Sequence, residues 1–107
     1  MNSSKSNAFG LSEQSMKTIE DIFSQFSSVQ KVLIYGSRAM GNFREGSDID
    51  MTIIADKNFS HDDLLKVKCL FDDSYLPYLT DISDFSKLKN QNLIDHILRN
   101  GKVLYEK

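Results

Sequence analysis

Two short apolar runs enclose a glycine-rich interval, and this arrangement constrains the fold more than any other feature of the chain. Val32-Leu33-Ile34-Tyr35 stops at Gly36, and the segment from Asp48 to Ala55 alternates at first and then turns apolar. Runs of this length bounded by turn residues read as buried strands. Between them, residues 36–47 hold three of the five glycines together with Ser37, Asn42 and Ser47, the signature of a loop. On the second strand Asp48 and Asp50 project to one face, and Ile49 and Met51 to the other. One face therefore meets a core while the other presents carboxylates, which are costly to hold unpaired beside so apolar a run.

Helices are expected around this pair. From Ser12, a plausible N-cap, the residues Met16, Ile19, Ile22, Phe23 and Phe26 recur at helical spacing. Ser60 caps a second helix through about Phe71, with Leu64, Leu65, Val67 and Cys69 as its apolar positions. Tyr75 to Ile82 carries the only proline, Pro77, near its start, and Tyr78-Leu79-Thr80-Asp81-Ile82 fits an edge-compatible strand. A last helix is expected from about Ser86 to Arg99, burying Leu93, Ile94, Ile97 and Leu98 and stopping at Asn100-Gly101. Val103-Leu104-Tyr105 adds a short terminal strand. The order is α-β-loop-β-α-β-α-β, an α/β (α+β) arrangement with a mixed sheet flanked by helices. Residues 1–10, rich in Ser and Asn, read as a flexible N-terminus, and 11–107 as one domain.

At 107 residues there is room for a single small domain, and 40% hydrophobic with 26% charged residues fits a packed globule. The net charge of −2 argues against a standing nucleic-acid partner, which calls for a basic stripe. A lone cysteine, Cys69, forms no internal disulfide, suits a reducing cytoplasm and reads as a small core residue. No apolar run reaches membrane-spanning length, so no membrane association is expected.

The chemistry resides in Gly36-Ser37, ten intervening residues, Asp48-Ile49-Asp50-Met51, and a further strand carboxylate at Asp81. Carboxylates at i and i+2 on one strand face can bridge two hard cations through oxygen ligands. Two Mg²⁺ ions stabilise both the attacking and the leaving oxygen of an in-line phosphoryl displacement. A third carboxylate completes one metal site and can accept the proton of the attacking hydroxyl. Gly36 lets the chain approach phosphate closely, and Ser37 offers a hydroxyl and an N–H. An isolated Asp-X-Asp is usually a solvated strand face; here it adjoins an apolar run and a Gly-Ser turn. Rival motifs fail. Gly36 to Gly41 has no Walker lysine, Gly36-Ser37-Arg38 lacks the dinucleotide Gly-X-Gly, and an EF-hand read from Asp48 puts Ile53 at the required glycine.

Gly36-Ser37-Arg38-Ala39-Met40-Gly41, then Glu45-Gly46-Ser47-Asp48-Ile49-Asp50, resembles the DNA polymerase β-type nucleotidyltransferases, and more narrowly the minimal nucleotidyltransferases (MNT) of prokaryotic toxin–antitoxin pairs. The likeness runs from about residue 11 to 107. It implies a polymerase β-like fold and transfer of a nucleoside monophosphate from ATP or another NTP to a hydroxyl, with release of pyrophosphate. By resemblance, Gly36 and Ser37 hold the triphosphate, Asp48 and Asp50 ligate two Mg²⁺, and Asp81 is the third carboxylate. The partner implied is a HEPN-type helical toxin, adenylylated by this chain as its antitoxin. Two positions depart from the pattern: Thr80 stands where a hydrophobic residue is commoner, and Met40 where a basic one is. Asp84 suits the N-cap of the last helix better than the site.

Arg38 and Arg44 in the loop are candidates to clamp phosphates, with a solvated loop arginine as the alternative. His61 reads as exposed, His96 as a packing or partner-contact residue, and Tyr35 and Tyr105 as core or interface residues. Two other functions compete with the transferase. One is a non-catalytic antitoxin that neutralises its partner by binding; the other is a small-molecule (antibiotic) nucleotidyltransferase.

Overall fold

The computed structural model describes residues 8–44 and 46–107. A 3-10 turn, Ala8–Gly10, precedes α1 (Glu13–Phe23), β1 (Val29–Tyr35), the short α2 (Ser37–Met40), β2 (Ile49–Ala55), α3 (His61–Asp72), β3 (Thr80–Asp84), a second 3-10 turn (Phe85–Lys87), α4 (Gln91–Asn100) and β4 (Lys102–Glu106). The four strands form one mixed sheet in the order β3-β2-β1-β4. β1 pairs antiparallel with β2 and β4, while β2 and β3 run parallel, joined by the α3 crossover that a parallel pair requires.

Alternation divides the sheet into two faces. Val32 and Ile34, Ile49, Met51 and Ile53, and Ile82 and Leu104 belong to the buried core. They meet Ile19, Ile22 and Phe23 of α1 and Val67 and Phe71 of α3, with the Phe23 and Phe71 rings 5.4 Å apart. Each such side chain removed from water contributes roughly 1.5–3 kcal/mol before the entropy of ordering it. α4 lies against β1 on the opposite face, where Ile97 is buried and His96 meets Tyr35 edge-on, ring centroids 6.2 Å apart.

The expected mixed sheet with flanking helices is present; several details differ. The interval after Gly36 is not all loop, because Ser37–Met40 makes one helical turn closed by Gly41 at φ 83°. Cys69 is exposed. It sits two positions from buried Val67, about 200° round the helix from the core-facing side. Leu98 is likewise exposed, rotated about 100° from buried Ile97. β3 starts at Thr80, leaving Tyr75 outside it. α4 begins at Gln91 and not near Ser86: Asn90 accepts from Leu93 N–H as its cap, while Asp84 caps the 3-10 turn by accepting from Ser86 N–H. At the N-terminus the expected flexible stretch falls partly outside the described residues, and Ala8–Gly10 is a turn with Phe9 packed against the core. No helix among the described residues is long and apolar enough to cross a membrane.

Candidate active site

Strand register assembles the site. In β1 and β2 Tyr35 pairs with Asp50, and in the parallel pair Asp50 stands beside Asp81. Partners across a sheet point to the same face, so Tyr35, Asp50 and Asp81 form one row across three strands. That face lies opposite the buried Ile34, Ile49 and Ile82. Asp48, one residue before β2 and two before Asp50, is exposed at the end of the row. Asp84 shares the parity of buried Ile82, pairs with Ile53, and spends its carboxylate on Ser86; it is not brought to the row.

The carboxylates feel one another. Burial pushes the Asp50 carboxyl above the ordinary aspartate range, and the charges of Asp81 and Asp48 push it further; His96 acts in the opposite sense. The Tyr35 phenol is raised for related reasons, by burial first and then by Asp81 and Asp50, with the Ser83 hydroxyl opposing. Beneath the row lies a hydroxyl pair: Ser83 Oγ donates to Thr52 Oγ1 at 2.9 Å, and Thr52 Oγ1 to Ser83 O at 3.4 Å. Thr52 is fully buried.

Gly36 joins β1 to α2 directly against this cluster. Its backbone takes φ 75°, ψ −154°, a conformation open essentially to glycine alone. A Cβ there would lie 2.5 Å from Asp50 Oδ2. Ser37 follows as the first residue of α2, where backbone N–H groups have no intrahelical acceptor. Gly36, Ser37, Asp48, Asp50 and Asp81 are thus gathered at one end of the sheet.

The two arginines fare differently. Arg44 is exposed on a turn closed by Ser47 Oγ, which accepts from Arg44 N–H at 2.9 Å. Arg38 is only 3% exposed, and its guanidinium is set among backbone carbonyl oxygens. Nε and Nη2 donate to Ser47 O at 3.1 and 2.7 Å, and Nη1 donates to Phe9 O at 2.9 Å. With Nη1 also approaching Gly10 O at 3.4 Å, Arg38 is buried and engaged with backbone carbonyls, whereas Arg44 is the exposed arginine of the two candidates for a phosphate clamp.

Sequence reasoning placed Tyr35 in a core or interface role and His96 in a packing or partner-contact role, and passed over Thr52 and Ser83. The signal for the last two was parity: each stands two residues after a site aspartate on the same strand. The arrangement is a dense negative cluster beside a glycine turn. It suits divalent cations, which relieve the mutual repulsion of the acids, and a phosphate chain that those cations neutralise. Among the described residues no three His, Cys, Asp or Glu side chains already converge as a metal cage. A concavity of about 610 Å³ lies elsewhere, between α3 and the turn after α1, against Phe26, Leu65 and Leu70. A smaller one of about 160 Å³ reaches Asp81, with Lys68, Asp72 and Thr80.

In sequence and fold the chain is similar to known nucleotidyltransferases. The family model described as polymerase beta, nucleotidyltransferase, matches residues 17–107. A Methanocaldococcus jannaschii protein that carries the provisional name of protein adenylyltransferase is 32% identical over 81 residues, 72% of this chain and 79% of the relative. Among solved structures, one chain of a toxin–antitoxin complex with AMP-PNP superposes with a TM-score of 0.70 at 19% identity, covering 86% of this chain and 73% of that one. A Shewanella oneidensis complex of a tri-AMPylated HEPN toxin with an MNT antitoxin gives 0.64 at 16% identity, covering 89% and 72%. A structure provisionally described as a minimal nucleotidyltransferase gives 0.64 at 25% identity, covering 84% and 92%.

Proposed function

The chain belongs to the polymerase β nucleotidyltransferase family, and from that premise we propose that it transfers AMP from ATP to a hydroxyl of a partner protein, acting as the antitoxin of a HEPN/MNT toxin–antitoxin pair. The observation that carries the reading is the row Tyr35–Asp50–Asp81, with Asp48 at its end and Gly36-Ser37 against it. The name of the M. jannaschii relative supports a protein as acceptor. The AMPylated HEPN toxin bound to an MNT antitoxin supports the kind of partner, and the AMP-PNP complex supports ATP as donor.

In this reading Asp48 and Asp50 hold two Mg²⁺ ions, and Asp81 completes one of the two sites. When bound, the ions neutralise the triphosphate and stabilise the charge that develops on the attacking and leaving oxygens. The chain's own groups do the rest. Gly36, without a side chain, leaves space for the phosphates beside Asp50, and Ser37 contributes its hydroxyl and N–H to the terminal ones. Arg44, exposed on its turn, is the arginine able to reach them. Asp81 takes the proton of the acceptor hydroxyl. The acceptor oxygen bonds to the α-phosphorus, the α–β phosphoanhydride bond breaks, and pyrophosphate leaves. Tyr35 and the Thr52–Ser83 pair hold the floor on which Asp50 and Asp81 stand. We place the reaction in the cytoplasm, where the exposed Cys69 stays reduced.

The test is ligand-linked stability. ATP with Mg²⁺ binds the folded site alone, so at about 100 times Kd it should stabilise the protein by about 2.7 kcal/mol. Neither ATP without metal nor the double variant Asp48→Asn/Asp50→Asn should show that gain in thermal unfolding. An equal gain in the double variant would remove these aspartates from the site.

A further inference from the structure

Arg38 stands where all the motif segments meet. It follows Gly36-Ser37 in the chain and holds, through Nε and Nη2, the carbonyl of Ser47, the residue before Asp48. The ring of Tyr78, three residues before Asp81, lies 4.6 Å from its guanidinium carbon. Ile49 N–H donates to Leu79 O at 2.9 Å, so the approaches to Asp48 and Asp81 run side by side where Arg38 clasps them. Phe43, at 5.1 Å, and the carbonyls of Phe9 and Gly10 close the remaining sides.

We propose that Arg38 is a positioning residue that fixes Asp48 and Asp81 relative to the Gly36-Ser37 turn and does not touch nucleotide. The chemistry favours arginine. A planar fork can give two N–H groups to one carbonyl while its face stacks on an aromatic ring; an ammonium is drawn to a ring too but has no rigid fork to hold both at once. A phosphate ligand needs free donors on an accessible edge, and this guanidinium belongs to a buried residue with Nε, Nη1 and Nη2 each donating to Ser47, Phe9 or Gly10. The N-terminal turn is thereby part of the site's scaffold, since it supplies two of the carbonyls. The inference rests on the reading of the carboxylates as metal ligands, and its test separates the two.

Mn²⁺ binding is titrated by electron paramagnetic resonance, with and without AMP-PNP, for the wild type, Arg38→Lys and Arg38→Met. Amide hydrogen exchange is followed over residues 46–50 and 78–81 in the same proteins. Both variants should lose Mn²⁺ affinity by about 10- to 100-fold even without nucleotide, as when an outer-shell support of a metal site is removed. Exchange should quicken in both segments together. Tyr78→Leu removes one ring and keeps every hydrogen bond, so it should show the same pattern at smaller amplitude and decides the matter if Arg38→Met does not fold. Unchanged metal affinity without nucleotide, with a loss confined to AMP-PNP, would make Arg38 a phosphate ligand and overturn the proposal. Exchange needs no metal: a wild type that binds no Mn²⁺ counts against the metal reading, whereas unchanged exchange in Arg38→Lys overturns the clasp itself.

Discussion

Gly36 ties the backbone to the chemistry through one missing carbon. Its φ of 75° with ψ −154° excludes other residues, and the Asp50 carboxylate occupies the space a Cβ would take. Gly36→Ala should therefore cost about 1–3 kcal/mol in backbone strain alone, read from urea unfolding, and should displace Asp50 and abolish stabilisation by Mg²⁺ with ATP. Normal stability in that variant would contradict the described turn. Asp50 has a cost of its own. Its carboxyl is raised by burial and by Asp81 and Asp48, so the folded state binds its proton more tightly than the unfolded chain. That contribution is complete below the ordinary aspartate pKa of 3.8 and is lost as pH rises through the raised folded value. In metal-free buffer Asp50→Asn should be more stable than the wild type near neutral pH, with the gap closing as pH falls, because it never takes the charge. A variant less stable at neutral pH would mean that the carboxylate is held by favourable contacts.

At the scale of elements, β2 was legible because its two faces differ in chemistry: Asp48 and Asp50 against Ile49 and Met51 admit one register with respect to a core. β1 was legible from its apolar run, and α1 from its cap and spacing. The last helix was harder. Asp84 and Asn90 both have cap chemistry and both cap something, so a chain read by caps alone starts the helix one element early. The four-residue α2 has no periodicity to read, and the burial of Arg38 depends on Phe9, Phe43 and Tyr78, whose meeting no local pattern records. The row Tyr35–Asp50–Asp81 needs two pairings, one parallel, which spacing does not fix. Parity in β3 makes a prediction at this scale. Asp81→Asn should reduce nucleotide transfer far more than ATP binding, because a general base acts chiefly in the transition state. Asp84→Asn, on the other face, should leave transfer intact and cost at most about 1 kcal/mol as a weakened cap. The reverse outcome would give the third carboxylate to Asp84.

As a whole molecule, the protein divides its sheet between two tasks. One face is closed by α1 and α3, and the other carries the acids with α4 covering β1. The Cα radius of gyration is 13.3 Å, close to the roughly 13 Å of any compact chain of this length. The concavity that reaches Asp81 is about 160 Å³, well below what small-molecule sites enclose. In the proposed reading the acceptor brings a wall of its own. A protein partner does so, and it can hold a hydroxyl in line with the α-phosphate, converting encounter into positioned attack. The most direct measurement mixes this chain with a HEPN-type helical partner, Mg²⁺ and ATP labelled at the α-phosphate. Label is expected on a Tyr, Ser or Thr hydroxyl of the partner, and Asp48→Asn should abolish it while the complex stays intact on gel filtration. An unlabelled partner with the wild-type chain, or label that persists in Asp48→Asn, would contradict transfer by these carboxylates.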